Sequence, residues 1–302
     1  MTFEDLAYTR TPQNRMPGRR GDVAWVASQQ ARPDMRVIPI WRDRCLVDEG
    51  RPVEIAGSAA HAVLRASPES VLLGLEEEKP VFAADLSELD EGDALRACGA
   101  QASADVRKLV PVLPSPQAAT LAYARGLLHW NRHTRFCGSC GAATRAVQAG
   151  HVRVCTAESC GRQMFPRIEP AVIVLVQSSE PEPRCLLARH HGAGPDGFSL
   201  LAGFVEIGEG LEAAVRREVA EEAGVAVGEV AYRGSQGWPF PAGLMVGFTA
   251  HAMSEAITVD GEELMEARWF HRAEIVERIT SGPGPGPEDS IGGRLLRTWA
   301  GA

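Results

Sequence analysis

Three glutamates follow one another at helical spacing in the C-terminal half of the chain. Glu218, Glu221 and Glu222 stand at i, i+3 and i+4, so a helix would place all three carboxylates on one face. Neighbouring carboxylates repel one another, and clustered hard oxygen ligands suit Mg²⁺ or Mn²⁺. The alternative is a solvated acidic helix face, which is what most runs of charge are. The pattern indicates one of these two, and the surrounding residues must decide.

The residues around these glutamates predict a helix over 211–223. Its apolar positions would form the stripe that anchors the other face, namely Leu211, Ala214, Val215 and Val219. Gly203, ahead of the helix, is expected to support an unusual backbone, and Gly224 suits a C-terminal cap. Arg217 is expected to pair with Glu209 and hold the preceding loop against the helix.

Four of the seven cysteines lie within 24 residues and form a CxxC turn followed by a CxxxxC turn. They are Cys137, Cys140, Cys155 and Cys160. Two such turns joined by a hairpin predict a zinc ribbon with closed tetrahedral Cys₄ ligation, whose role is folding and not chemistry. The alternatives are incidental cysteine clusters or a redox CxxC. The other cysteines, Cys45, Cys98 and Cys185, fit buried thiols in a reducing compartment, so we expect a cytoplasmic protein.

Composition bounds the class of protein. The chain has 302 residues, enough for more than one domain, and its 45% hydrophobic and 23% charged residues are typical of globular proteins. These values exclude wholesale disorder, collagen repeats and coiled coils. The net charge of −8 argues against a broad nucleic-acid-binding face but allows a phosphorylated substrate held through metal ions.

Neither a membrane span nor a secretory signal is predicted. No stretch reaches the roughly 18–20 apolar residues that a spanning helix needs, so we expect no membrane partner. Residues 1–20 carry four arginines and no apolar segment, and are expected to form a flexible leader.

The pattern of short apolar runs and turns predicts an α/β fold. We expect an N-terminal α/β domain over 21–134, the zinc ribbon over 135–167 and a second α/β domain over 168–302. Predicted strands are 37–41, 45–47, 71–74, 81–83, 171–177, 185–188, 230–232, 245–252 and 268–270, and predicted helices are 116–134, 211–223 and 291–299. Ser281–Ser290 is predicted to be a loop, because its glycines and prolines cannot hold a helix or sheet. No internal repeat is visible.

A second motif follows ten residues after the glutamate segment. Residues 235–245 spell SQGWPFPAGLM, in which closely spaced prolines and glycines predict a stiff turn. Trp238 and Phe240 offer flat faces for stacking. Taken alone, the motif could equally be a rigid aromatic turn that packs on the core.

Residues 203–225 meet every fixed position of the signature G-x5-E-x7-R-E-U-x-E-E-x-G-U, with Val219 and Val225 as the apolar U residues. The chain therefore resembles the Nudix hydrolases, which cleave a nucleoside diphosphate linked to another moiety. The second motif resembles SQPWPFPxS, which marks the NADH pyrophosphatase branch, whose members also remove NAD caps from RNA. The order of parts matches that branch over nearly the whole chain, more weakly before about residue 105. The resemblance also implies that the C-terminal domain is a Nudix α/β/α sandwich.

The chain departs from that pattern at three places. Gly237 stands where the motif has a proline, and Gly243 where it closes on serine. The last zinc turn is two residues longer than the family's CxxC. These differences bear on turnover and substrate preference more than on reaction class.

The resemblance implies a set of site residues. The metal-binding catalytic residues would be Glu218, Glu221, Glu222 and Glu263, with Glu262 and Glu266 as nearby alternatives to Glu263. Substrate contacts would come from Phe165, Ala202, Phe204, Gln236, Gly237, Trp238, Pro239, Phe240, Pro241, Ala242, Gly243 and Gly292, with Arg107 as a further candidate. Phe204 would stack on a base, and Phe165 would stack from the partner subunit of a homodimer.

The implied reaction is Mg²⁺- or Mn²⁺-dependent hydrolysis of the pyrophosphate of NADH or NAD, giving NMNH or NMN and AMP. NAD-capped RNA 5′ ends would be cleaved in the same way. The general base would be Glu221 or Glu263. Two alternatives remain: a Nudix hydrolase of ADP-ribose or other dinucleotides, and a non-catalytic Nudix–zinc-ribbon protein that senses a nucleotide. His190 and His191 could touch phosphate or be ordinary exposed loop histidines.

Overall fold

The computed structural model describes residues 3, 6–109, 113–259, 261–280 and 290–301. These fall into two compact units. The first contains residues 10–167 and 239–241, and the second contains the described residues up to Thr9 together with 168–238 and 242–301. Most of the predicted loop Ser281–Ser290 lies outside the described residues.

The first unit is built on a mixed sheet of seven strands with helices on it. The strands are β1 (Arg36–Trp41), β2 (Arg44–Asp48), β3 (Arg51–Pro52), β4 (Ile55–Ala56), β5 (Glu69–Glu76), β6 (Lys79–Asp85) and β7 (Ala102–Ala104). The helices are α1 (Val23–Gln30), α2 (Gly57–Ala66), α3 (Glu91–Cys98), α4 (Val106–Leu109) and α5 (Ser115–His133). The sheet order is β3-β2-β1-β6-β5, with β4 beside β1 and β7 beside β2.

The ribbon is a three-stranded antiparallel sheet within the same unit. Its strands are β8 (Thr144–Val147), β9 (Val152–Cys155) and β10 (Gln163–Met164), in the order β10-β9-β8. A buried ion pair of 2.8 Å joins Arg153 of β9 to Glu69 of β5. Asn131 of α5 donates a 2.8 Å hydrogen bond to the carbonyl of Gly150. These contacts fix the ribbon to the first sheet.

The second unit is also built on a mixed seven-stranded sheet. Its strands are β11 (Glu169–Gln177), β12 (Arg184–His190), β13 (Phe198–Ser199), β14 (Leu201–Phe204), β15 (Val227–Trp238), β16 (Gly243–Ala252) and β17 (Leu264–His271). Its helices are α6 (Leu211–Ala223), α7 (Arg272–Thr280) and α8 (Ile291–Ala300). The order is β13-β12-β11-β16-β15, with β14 beside β11 and β17 beside β12.

Successive side chains of β11 point to opposite faces of the sheet, so the core of the second unit has two layers. Val172, Val174 and Val176 pack in the cluster that contains the buried face of α6. Leu175 packs in the other cluster, with apolar residues of α7 and α8. Helices therefore cover both faces of the sheet, and the predicted α/β/α sandwich is confirmed.

The two sheets share one topology. In each, a central parallel pair, β1·β6 or β11·β16, is flanked by antiparallel strands in the same sequential order. Helix α2 lies between β4 and β5 as α6 lies between β14 and β15, but α2 contains no Asp or Glu. The two sheets therefore repeat the same path of the chain, and of the two equivalent helices only α6 carries glutamates.

Two expectations about local structure are corrected. The leader expected over residues 1–20 is ordered where it is described: Leu6 and Ala7 are buried, and Asn14 forms a bridge with Leu75. The second motif is not a turn throughout, because Ser235–Trp238 ends β15 and pairs with β16. The chain turns only between the two strands.

Candidate active site

Helix α6 presents the glutamates in the predicted arrangement. Ala214, Val215 and Val219 are fully buried against the sheet, which fixes the rotation of the helix. Glu222 is only 4% exposed, whereas the Glu221 side chain is 62% exposed. The helix ends at Gly224 in the left-handed conformation, as predicted.

Arg217 is the centre of the polar network around α6. Its Nε and Nη2 donate to the two carboxylate oxygens of Glu209, each at 2.9 Å. Its Nη1 donates to Glu218 at 2.8 Å and to Glu221 at 3.0 Å, and Nη2 also donates to the carbonyl of Phe204 at 2.8 Å. The hydrogen bond to Glu209 is the largest cause that raises the pKa of Arg217, and the same bond lowers the pKa of Glu209. The predicted Arg217–Glu209 pair is confirmed.

Gly203 makes room for the Glu218 carboxylate. It lies in β14 opposite Val172, and a Cβ at this position would overlap the carboxyl group of Glu218. Its backbone is not in the left-handed region. The expectation of an unusual backbone at Gly203 is therefore wrong, and the glycine is needed because of the close approach of a side chain.

The glutamates of α6 are ligands of the type that a hard divalent cation prefers, although their carboxylate oxygens do not converge on one point in this structure. Glu218 and Glu221 each use one carboxylate oxygen for Arg217 and carry a second, and Glu222 adds a third carboxylate on the same helix face. Anionic oxygens are the ligands that Mg²⁺ and Mn²⁺ prefer. Because the network contains one arginine and several carboxylates, its net charge is negative, which favours the binding of a cation.

The carboxylates near β17 differ in how they are engaged. Glu263 is exposed immediately before β17, and its carbonyl accepts a hydrogen bond from the His191 amide at 3.2 Å. Glu266 forms an ion pair of 3.0 Å with Arg189. Glu262 is exposed, like Glu263. His191 is exposed, in keeping with an ordinary loop histidine, and His190 ends β12.

Gln236 is a structural residue in this unit. It is 1% exposed, its Nε2 donates to the carbonyl of Ala7 at 3.0 Å, and its Oε1 accepts from the Ile291 amide at 2.8 Å. The side chain is thus engaged at both ends with the backbone. The expectation that it contacts substrate does not fit this geometry.

The N-terminal segment packs beside the end of β15. A Cβ at Gly237 would lie 3.0 Å from the Tyr8 carbonyl oxygen, and Trp238 meets the Tyr8 ring edge-on at 6.1 Å. A Cβ at Gly243 would lie 3.0 Å from the Trp238 carbonyl oxygen. Both glycines that depart from the family motif therefore sit where the backbone is crowded.

Residues 239–241 belong to the first unit, where α5 holds them. Arg125 of α5 donates to the carbonyls of Pro239 at 2.7 Å and Asp43 at 3.1 Å. The guanidinium groups of Arg125 and Arg107 lie 5.1 and 5.2 Å from the centroid of the Phe240 ring. The structure thus brings Arg107 to the motif. Arg125 was missed, because an arginine within a helix pattern carries no signal of its own.

The remaining predicted substrate residues have mixed exposure. Phe204 is 64% exposed in the second unit and Phe165 is 54% exposed in the first, so both rings are accessible for stacking. Ala202 pairs with Ile173 in the sheet, Gly292 lies in the first turn of α8, and the carbonyl of Ala242 accepts from the Glu169 amide at 3.0 Å. Pro241 is exposed.

The four ribbon cysteines converge on one point. All their sulfur atoms lie within 4.8 Å of one another, with Cys137 to Cys160 at 3.8 Å and Cys140 to Cys155 at 3.4 Å. Tetrahedral bonds of about 2.3 Å to zinc would separate the sulfurs by about 3.8 Å, so the cluster fits the ion. Within the described ranges, it is the one such convergence of three or more potential ligands.

Both cysteine turns close in the same way. Gly141 and Gly161 follow the second cysteine of each turn, with φ of 74° and 55°. The amides of Ser139 and Cys140 donate to the Cys137 sulfur and lower the pKa of that thiol, which favours the thiolate that zinc requires. The longer CxxxxC turn therefore still brings both of its sulfur atoms to the cluster.

None of the helices in the described part of the chain is long and apolar enough to cross a membrane.

Comparison with family models gives three matches in succession. They are an NADH pyrophosphatase-like rudimentary NUDIX domain over residues 34–130, an NADH pyrophosphatase zinc ribbon domain over 132–165 and a NUDIX domain over 167–287. The first match accounts for the shared topology of the two sheets.

Among curated proteins, the NAD-capped RNA hydrolase NUDT12 of Macaca fascicularis is 40% identical over 197 residues. These are 62% of this chain and 42% of that protein, so the chain spans less than half the length of this relative. The NAD-capped RNA hydrolase NudC of Deinococcus radiodurans is 38% identical over 259 residues, 85% of this chain and 87% of that protein. The chain therefore belongs to the Nudix family, in the group whose Nudix domain follows an NADH pyrophosphatase-like domain and a zinc ribbon.

Proposed function

We propose that the protein hydrolyses the pyrophosphate bond of NADH and NAD, giving NMNH or NMN and AMP, and removes NAD caps from RNA 5′ ends. The observation that carries this proposal is the α6 network, in which Arg217 fixes Glu218 and Glu221 beside the buried Glu222. The relatives are NAD-capped RNA hydrolases, which supports the choice of substrate.

The proposed mechanism assigns roles to residues of this chain. Glu218, Glu221, Glu222 and Glu263 would hold Mg²⁺ or Mn²⁺, which supplies charge neutralisation and water activation when bound. Arg217 holds two of these carboxylates in place and, through the Phe204 carbonyl, ties the stacking residue to the same network. Glu221 or Glu263 accepts the proton of the attacking water, both being exposed. Water adds to one phosphorus as the anhydride P–O bond breaks, leaving two phosphomonoesters.

Zinc, oligomeric state and location complete the proposal. The ribbon binds one structural Zn²⁺, whose closed Cys₄ site leaves no position for substrate. The active unit is a homodimer in which Phe165 of one chain stacks on the substrate held by the other. We place it in the cytoplasm on the basis of its cysteine usage.

The proposal is tested by product analysis of NADH, NAD, ADP-ribose and NAD-capped RNA with Mg²⁺ or Mn²⁺. Glu222→Gln should lower kcat by several orders of magnitude, because it removes transition-state charge stabilisation worth several kcal/mol. Glu212→Gln, on the same helix in an exposed position, is the control and should retain activity. Wild-type kcat in Glu222→Gln would refute the active site. Cleavage of ADP-ribose alone would favour the alternative hydrolase, and no cleavage at all a nucleotide sensor.

A further inference from the structure

The first unit contains a cavity of about 450 Å³ between the end of α5 and the ribbon. Two aromatic rings in its wall are Trp130, which is half-buried, and Phe136, which is 69% exposed. Phe165 also lines it. Three aromatic rings therefore line one cavity, and contiguous exposed apolar surface of this kind often marks a binding site.

The basic residues in the same wall are Arg162, Arg167 and His133, and none of the lining residues is acidic. Among the described residues, neither Arg162 nor Arg167 belongs to an ion pair; Arg162 donates to Ser139 Oγ. The segment 135–167 contains five arginines, no lysine and one glutamate, in a chain whose net charge is −8. Arg135 and Arg153 pair with Glu88 and Glu69, so the positive charge at the cavity comes from Arg162 and Arg167.

We propose that this cavity binds a nucleotide of single-stranded RNA, with its base stacked on Trp130 or Phe136 and its phosphates near Arg162 and Arg167. Aromatic faces beside uncompensated arginines are the chemistry that holds single-stranded nucleic acid without reading its sequence. Resting on the proposed function, the inference assigns the cavity to the RNA body that follows an NAD cap. The acidic remainder of the chain would make this a short, local contact.

The first test measures binding without hydrolysis. The probe is an uncapped, fluorescently labelled hexaadenylate, titrated with the full chain and followed by anisotropy. The double variant Arg162→Glu/Arg167→Glu should raise Kd at least about tenfold. The slope of the logarithm of the binding constant against the logarithm of the salt concentration should become shallower by about 1.4, which is about 0.7 per lost phosphate contact. Phe136→Ala should raise Kd about tenfold through lost stacking.

Arg145→Glu is the matched control. Arg145 is exposed on β8 of the same ribbon and does not line the cavity, so the variant makes, away from the cavity, the same charge change as each single substitution of the double variant. It should change Kd by about twofold or less. Unaltered binding in the double variant, or an equal loss in Arg145→Glu, would overturn the proposal.

The second test compares substrates. The double variant should raise KM about tenfold for NAD-capped RNA and leave KM for NADH within about twofold. An equal rise for both substrates would overturn the proposal by assigning the cavity to the dinucleotide site. Loss of both activities together with a shift from dimer to monomer in sedimentation would overturn it in favour of a subunit interface. Should the wild type bind hexaadenylate yet hydrolyse nothing, the proposed function fails while the RNA site stands.

Discussion

Gly203 and Glu218 approach so closely that no side chain can stand at position 203 without displacing the carboxylate. Because the backbone of Gly203 suits any residue, Gly203→Ala should fold normally and move Glu218. We expect kcat for NADH to fall on the order of a hundredfold, the loss associated with a misplacement of about 1 Å. Steady-state kinetics with Mg²⁺ would measure it.

Gly210→Ala is the control for that variant, since a Cβ at Gly210 meets no atom within 4 Å. It should retain kcat within about threefold, because replacing a glycine N-cap by alanine mainly affects the helix terminus. Normal kcat in Gly203→Ala would show that the position of Glu218 is not critical.

Arg125 is expected to position the second motif. Arg125→Ala removes the hydrogen bond to the Pro239 carbonyl and the contact with Phe240. KM for NADH should rise about tenfold with kcat nearly unchanged, since a charged hydrogen bond contributes about 1.5–3 kcal/mol. Arg125→Lys keeps the charge but not the planar guanidinium group, so its KM for NADH should lie between those of the wild type and Arg125→Ala. A drop in kcat alone would contradict this role.

Phe165 tests the homodimer. Phe165→Ala should raise KM for NADH roughly tenfold, about 1.4 kcal/mol, as expected for one lost stacking contact. Mixing Glu222→Gln chains with Phe165→Ala chains should restore one competent site per heterodimer. Sedimentation must show the dimer, and a fully active monomer would disprove the shared site.

Zinc content tests the ribbon. Metal analysis should find about one zinc per chain, and Cys160→Ser should lose it and lower Tm, because metal binding contributes to folding. Cys98→Ser, outside the ribbon, should keep the zinc. Zinc-free protein purified without chelators would argue against a metal site at these four sulfurs.

His151 should make stability depend on pH. Burial, and then the charge of Arg20, lower its pKa from 6.5 to about 4, and its Nε2 lies 2.7 Å from Tyr123 Oη. The unfolded chain therefore binds this proton first, so the folded state loses stability as pH falls below 6.5 towards 4. Between pH 7.5 and 5.5 the loss should be about 1.4 kcal/mol. The free energy of unfolding, measured with urea, should depend less on pH in His151→Gln than in the wild type. An equal pH dependence in the two proteins would refute this prediction.

Helix α6 could be predicted from the sequence because its signals are local. Spacing alone fixes the face shared by the glutamates, and Gly224 ends the helix in the expected way. Gly203 was misinterpreted because its constraint comes from a side chain fifteen positions away, across a strand–helix contact. The hydrogen bonds of Gln236 are hidden from the sequence for the same reason, since its partners, Ala7 and Ile291, are distant in sequence.

The shared topology of the two sheets could not be seen in the sequence. Strand order depends on which edges pair, and β1·β6 and β11·β16 use different residues for the same path. Helix α2 has none of the carboxylates that made α6 recognisable. A fold can therefore persist after the residues that identify it have been replaced.

Leu6 shares a core cluster with Ile291 and Leu295, and Gln236 bridges the backbones of Ala7 and Ile291. During synthesis, Leu6 and Ala7 must therefore wait until Ile291 has been made before they reach their final place. Until α8 has emerged, Leu6 and the apolar residues on this face of the sheet lack their partners on α8. The first unit contains its own sheet and can fold before then. The second unit should therefore complete its fold later and depend more on chaperones during synthesis.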